Sequence, residues 1–325
     1  MRRAARLKPV PAKAEPLDLG DDEPIELGPS LTPWRVWLLA ARPATLTAVL
    51  APLLVGGVLA GRAGGFEAKA WLAALGGAFF IQIGTNFAND VFDFEKGADT
   101  TARRGPLRVT QAGLVEPGQV KFAMVLAFAL ATACGSYLVA LHGWPLVAVG
   151  VASIAAGVLY TGGPWPLGYL GLGDLFVFAF FGVVATAGAT FVQLGHVPAE
   201  AWWWSIPIGA SCTAILVVNN LRDAPTDVLA GKRTLAVRFG PGFARAQYVA
   251  LMALALFTAP VWAAVEGRWW LALPLVCAPL VARWAHMVSS TDDPDALNYA
   301  LAGTAKLHLA LGAMLALGLA IDGGL

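Results

Sequence analysis

Charge is what this 325-residue sequence has least of: Asp, Glu, Lys and Arg make up 13% of it, against 58% hydrophobic residues, where soluble domains carry about 25% charge. A soluble chain of this size has too little interior to hide such a surplus. Net charge is only +1, without the basic stripe that nucleic-acid binding requires. The three cysteines (Cys134, Cys212, Cys277) lie far apart in apolar runs, which excludes a disulfide framework and a zinc ribbon. The four histidines (His142, His196, His286, His308) show no ligand spacing. No apolar segment follows the first arginines, so the N-terminus does not read as a secretory signal.

What is present is apolar sequence in runs long enough to cross a bilayer core of about 30 Å. Residues 1–31 stand apart: five basic residues precede six acidic ones among scattered prolines, the composition of a disordered tail. Residues 32–325 form the membrane domain. Nine spans are predicted, near 44–61, 70–92, 120–141, 144–162, 170–193, 203–221, 247–265, 268–288 and 301–321. This is an all-α integral membrane protein. Seventeen of the 22 basic residues fall before span one and in the loops after spans two and six, and three fall on the opposite face. The positive-inside rule therefore places the N-terminus and both basic loops in the cytoplasm, with the chain multi-pass in the cytoplasmic (inner) membrane.

Span two ends in Asn86, Asn89, Asp90 and Asp93, three or four residues apart and so on one helix face, with Asp99 beyond. Span six ends in Asn219, Asn220, Asp223 and Asp227, with Pro225 between the carboxylates. Carboxylates at a bilayer boundary are costly unless hydrated, paired or metal-bound. Solvated helix ends paired with arginine would explain one such Asp, but two clusters on one face point to a shared site. Mg²⁺ fits it, being a hard ion that combines carboxylates with phosphate oxygens. Asn89, Asp90, Asp93, Asp99, Asp223 and Asp227 are the expected ligands. The basic residues that follow (Arg103, Arg104, Arg108, Lys232) suit diphosphate.

These stretches, NFANDVFDFEKGADTTARRGPLRVTQAG, YTGGPWPLGYLGLGDLFVFAFFGVVATAGATFVQ and NNLRDAPTDVLAGKRTLAVRFG, resemble the UbiA family of intramembrane aromatic prenyltransferases over residues 32–322. The resemblance implies nine helices around a central cavity, a polyprenyl diphosphate donor, and an aromatic acceptor of the 1,4-dihydroxy-2-naphthoate kind. It would release diphosphate and CO₂ and yield demethylmenaquinol for menaquinone synthesis. The family's first motif, Asn-x₃-Asp-x₃-Asp, maps to Asn89 and Asp93, with Gly97 in its third place and Asp99 two residues on. The second, Asp-x₃-Asp, maps to Asp223 and Asp227. Asp93 and Asp227 become the expected catalytic carboxylates, and Tyr160 the tyrosine beside the reacting allylic carbon. Arg42, with Asn86 and Asn219, is the expected acceptor site. Other acceptors (4-hydroxybenzoate, homogentisate) and a secondary transporter are the alternatives. A transporter would place its ionisable groups nearer the midplane.

Overall fold

The computed structural model describes residues 32–99, 105 and 107–325. The tail and two of the expected diphosphate contacts, Arg103 and Arg104, lie outside the described residues. Among these the chain is helical and contains no strand. A short helix α1 (Pro33–Ala41) meets α2 (Pro43–Arg62) at an elbow, followed by α3 (Ala68–Glu95), α4 (Pro117–His142) and α5 (Pro145–Leu159). The remaining helices are α6 (Gly173–Leu194), α7 (Ala199–Leu229), α8 (Leu235–Glu266), α9 (Trp269–Ser290) and α10 (Pro294–Asp322). Eight of them, all but α1 and α5, are long and apolar enough to cross a membrane.

The expected span at 144–162 is shorter than the sequence suggested. Its helix α5 has 15 residues, below the roughly 20 a bilayer core needs, because the chain turns off at Gly162-Gly163-Pro164. Local signals set the other ends. Glu116 and Gln119 form a capping box with Pro117 at the first turn of α4. Asp293 caps α10 by accepting from the Ala296 amide, again with proline at the first turn. α6 widens into a π-helical stretch over Phe178–Val184, and α9 begins as a 3₁₀ stretch over Trp269–Cys277. Neither departure is visible in composition.

The helices divide into a dense half and a hollow one. Tyr248, Met252, Trp284, Leu307 and Leu311 join α8, α9 and α10 to Val217 and Val218 of α7 in one core cluster. A second joins Val55 and Leu59 of α2 to Trp204, Ile208, Leu315 and Leu319. Some of the buried polar groups here are paired across helices, as a bilayer favours. His308 is fully buried, its Nδ1 2.7 Å from Ser211 Oγ and its Nε2 3.3 Å from the Ala48 carbonyl, which ties α10 to α7 and α2. At one end, Arg268 pairs with Asp322 at 2.6 Å and Glu266 at 2.9 Å, while Arg62 reaches Asp322 at 3.2 Å. Gln193 joins this end, its Oε1 accepting from the Glu67 amide at 2.7 Å.

The hollow half is a cavity of about 700 Å³ bounded by α2, α3, α4, α5, α6 and α7. Its wall depends on α6 lying against α7 with backbone on backbone. A Cβ added at Gly182 would sit 2.5 Å from the Gly209 Cα and 3.0 Å from the Ser205 carbonyl oxygen. Gly182→Val must therefore push two helices apart, at a cost of about 1–3 kcal/mol. The thermal midpoint of the detergent-purified variant should fall by several degrees. Gly150→Ala, where a Cβ meets nothing within 4 Å, should leave it unchanged.

Candidate active site

One face of α3 grades the cavity from apolar to charged. Ala74, Gly77, Ala78 and Ile81 line its deep part, Gln82, Thr85, Asn86 and Asn89 its middle, and Asp93 its mouth. The three- and four-residue steps are those of a single helical stripe. The same cavity is lined at the mouth by Arg42, Arg108, Tyr160, Tyr169, Asn219, Asp223, Asp227 and Lys232. The two acidic helix ends thus confront one another across it. Helix α7 continues through Pro225 to Leu229, so Asp223 and Asp227 share a face.

Asp93 is 1% exposed and surrounded by donors. Tyr169 Oη donates to its Oδ1 at 2.8 Å, Arg108 Nη2 to its Oδ2 at 3.1 Å, and Lys232 Nζ lies 3.6 Å from Oδ1. Lys232 also lies 3.8 Å from Asp227 Oδ1, so one ammonium spans both motifs. It stacks over the Tyr169 ring at 4.9 Å, with Lys96 over the same ring at 5.1 Å. Burial, then the charge of Asp93, holds the Tyr169 phenol well above its ordinary pKa, so it stays a hydrogen-bond donor. Burial also lowers the Lys96 ammonium, against the pull of Asp93. Lys96 donates to the carbonyls of Thr161 and Gly163, and Thr161 Oγ1 donates to Asn89 Oδ1 at 2.9 Å. These bonds fasten the end of α5 to α3.

The Gly97 departure has a backbone reason. Gly97 has φ +66°, a left-handed turn that ends α3 and that an aspartate would adopt only with strain. Asp99, two residues on, turns back to Arg108, its Oδ2 3.3 Å from Nε. Asp93 and Asp99 therefore share one guanidinium.

Asp90 is not where a metal ligand is expected. Its Oδ2 accepts from the Val109 amide at 3.2 Å and its Oδ1 from the Thr110 amide at 3.0 Å. It fixes the loop that presents Arg108, and it is absent from the cavity wall. Three residues along a helix rotate a side chain by about 60°, which is enough to send Asp90 to the loop and Asp93 to the cavity. The two amides expected to touch an acceptor are also committed. Asn86 Nδ2 donates to the Ala41 carbonyl at 2.8 Å and to Thr45 Oγ1 at 2.9 Å, pinning the α1–α2 elbow. Asn219 Oδ1 accepts from Arg222 Nη2 at 2.8 Å.

Arg222 is a residue the sequence reading passed over as a loop cation. It is fully buried, and its Nε and Nη2 donate to both oxygens of Asp223, at 2.8 and 2.6 Å. Its Nη1 donates to Asn298 of α10 at 2.6 Å. Tyr169 was missed as well, because the loop holding it shows no periodicity. Tyr160 lies on the cavity wall, its hydroxyl only 2.8 Å from where a Cβ of Gly173 would be. Arg42 lines the mouth at the elbow and has the one positive φ (+51°) of a non-glycine residue among the described residues. That left-handed residue is the C-cap of α1, its amide donating to the Leu39 carbonyl.

Among the described residues no three carboxylate, His or Cys side chains stand close enough to cage an ion by themselves. That agrees with Mg²⁺ chemistry, in which one or two carboxylates act with substrate phosphates and water. Of the expected ligands, Asn89, Asp93, Asp223 and Asp227 line the cavity and supply only hard oxygen donors, as that ion requires, whereas Asp99, like Asp90, lies off the cavity wall, held by Arg108.

The comparisons fit this geometry. Residues 49–311 match the family described as UbiA prenyltransferase family. A 1,4-dihydroxy-2-naphthoate octaprenyltransferase of Mycobacterium tuberculosis is 40% identical, over 78% of this chain and 86% of the relative. One of Haemophilus influenzae is 32% identical, over 88% and 96%. A structure of a UbiA homolog from Archaeoglobus fulgidus bound to DMAPP and Mg²⁺ superposes with a TM-score of 0.58 at 17% identity, covering 86% of this chain and 98% of that one. A polytopic helical bundle with two facing Asp motifs at the mouth of an apolar cavity, matched over most of its length, belongs to the UbiA prenyltransferase family.

Proposed function

We propose that the protein transfers a polyprenyl group from its diphosphate to 1,4-dihydroxy-2-naphthoate, releasing diphosphate and CO₂ and giving demethylmenaquinol. The observation that carries this reading is the bridge of Lys232 between Asp93 and Asp227 at the polar mouth of an otherwise apolar cavity. A substrate with a charged head and a hydrocarbon tail matches that gradation. The names of the relatives supply the acceptor. The excess of basic residues in the loops beside the mouth supports a mouth at the cytoplasmic face of the inner membrane, with the N-terminus on the same side.

In this reading the diphosphate lies between the two motifs, and Arg108 and Lys232 stabilise the charge it gains as the allylic C–O bond breaks. Bound Mg²⁺, held by Asn89, Asp93, Asp223 and Asp227, would neutralise further diphosphate charge, as the ion in the Archaeoglobus fulgidus structure accompanies DMAPP. The ring of Tyr160 faces the allylic carbon and stabilises its developing positive charge. Tyr169 keeps Asp93 aimed at the mouth. The apolar wall excludes water that would capture the cation. The acceptor carbon bearing the carboxylate then forms the new C–C bond. Loss of CO₂ leaves its bonding pair in the ring and restores aromaticity.

Asp93→Ala and Asp227→Ala should each lower kcat/KM about 10²–10³-fold or more while the protein still inserts and purifies. Product formation from geranylgeranyl diphosphate and dihydroxynaphthoate in detergent measures this, and full activity in both variants would refute the paired site. Chelation should abolish turnover and Mg²⁺ restore it. Asp90→Ala separates loop anchor from ligand: its activity should fall with the Mg²⁺ concentration for half-activation unchanged, whereas Asp93→Asn should raise that concentration. A rise in Asp90→Ala would return Asp90 to the metal site.

A further inference from the structure

Gln82 is an amide in the membrane-embedded part of α3, where an unsatisfied polar group is costly. It lines the cavity, and its Nε2 lies 3.5 Å from Asn86 Oδ1, at the long limit of a hydrogen bond. Its Oε1 and its second N–H make no hydrogen bond among the described residues. Two neighbouring polar groups on this wall are occupied. Asn86 spends both N–H groups on Ala41 and Thr45, and the Thr45 hydroxyl donates to the Arg42 carbonyl at 2.9 Å. Gln82 therefore keeps an open donor and an open acceptor on this rung of the wall.

Its position suits the acceptor ring. The amide head reaches the level of Asn86, which lies seven residues, or about 10 Å, below Asp93 along the helix axis. A diphosphate at Asp93 and Asp227 puts the allylic carbon above that level and the aromatic ring beside it. We propose that Gln82 is a specificity-determining residue whose amide reads a ring hydroxyl of the acceptor, the group that distinguishes a 1,4-naphthalenediol from a monohydroxy aromatic acid. A hydroxyl both donates and accepts, and so does an amide. A site that hydrogen-bonds a substrate hydroxyl rejects the analogue lacking it, because its own polar group is left unpaired. This inference rests on prenyl transfer to the dihydroxynaphthoate.

The test compares 1,4-dihydroxy-2-naphthoate with 1-hydroxy-2-naphthoate in purified wild type, Gln82→Met and Gln82→Leu, the second variant guarding against poor folding of the first. Wild type should prefer the diol. Both variants should lose about tenfold or more in kcat/KM for the diol, roughly one hydrogen bond. Their rate with the monohydroxy acid should change less than about twofold and the KM for geranylgeranyl diphosphate should not move. Preference retained in both variants, or an equal loss with both acceptors, overturns the assignment. A wild type that turns over other aromatic acids but not the diol overturns the parent reading instead, and this inference with it.

Discussion

A buried carboxylate needs a counter-charge, and in this molecule one lysine supplies it to two helices at once. Lys232 stands between Asp93 of α3 and Asp227 of α7, so the loop after α7 links the two motifs across the cavity mouth. The rest of the mouth is organised around the same point. Tyr169 lies under that ammonium and donates to Asp93. Arg108 joins Asp93 to Asp99, and Asp90 holds the loop that brings Arg108 there. A charge network of this kind contributes little net stability, since desolvation offsets much of the attraction. Its value lies in pre-organising donors where a diphosphate gains charge.

The dense half makes this possible. Helices α7, α8, α9 and α10 share a continuous apolar core, and Arg222 extends it upward by tying Asp223 to Asn298 of α10. The second motif is thereby anchored to rigid structure, while the first sits on the wall of the cavity. The apolar space between them admits a prenyl chain without a hydrogen-bonding cost.

Much of this was legible in the sequence. The apolar runs gave the helices, and the three- and four-residue spacing on α3 put Asn86, Asn89 and Asp93 on one face, though it grouped Asp90 with them. The departure at Gly97 was visible too, although its cause, a left-handed turn, required the backbone. What could not be read were choices that depend on partners distant in sequence. Asp90 and Asp93 are equivalent by spacing, and only the returning loop 107–115 separates them. Asn86 and Asn219 look like ligand amides until the elbow carbonyl and Arg222 occupy them. Arg222 resembles any positive-inside arginine, and its burial depends on Asn298, 76 residues away. The π-helical stretch in α6 follows from packing rather than composition, whereas the short α5 stops just before a Gly-Gly-Pro turn present in the sequence.

The central claim is that the two motifs and Lys232 form one diphosphate site at the head of one apolar cavity. A structure with a non-hydrolysable prenyl thiodiphosphate and Mg²⁺ tests it most directly. The account predicts density for the diphosphate between Asp93 and Asp227, with the Lys232 ammonium and Arg108 on its oxygens and the prenyl chain running past Tyr160 into the cavity. Diphosphate bound away from either motif, or a prenyl chain outside the cavity, would contradict it.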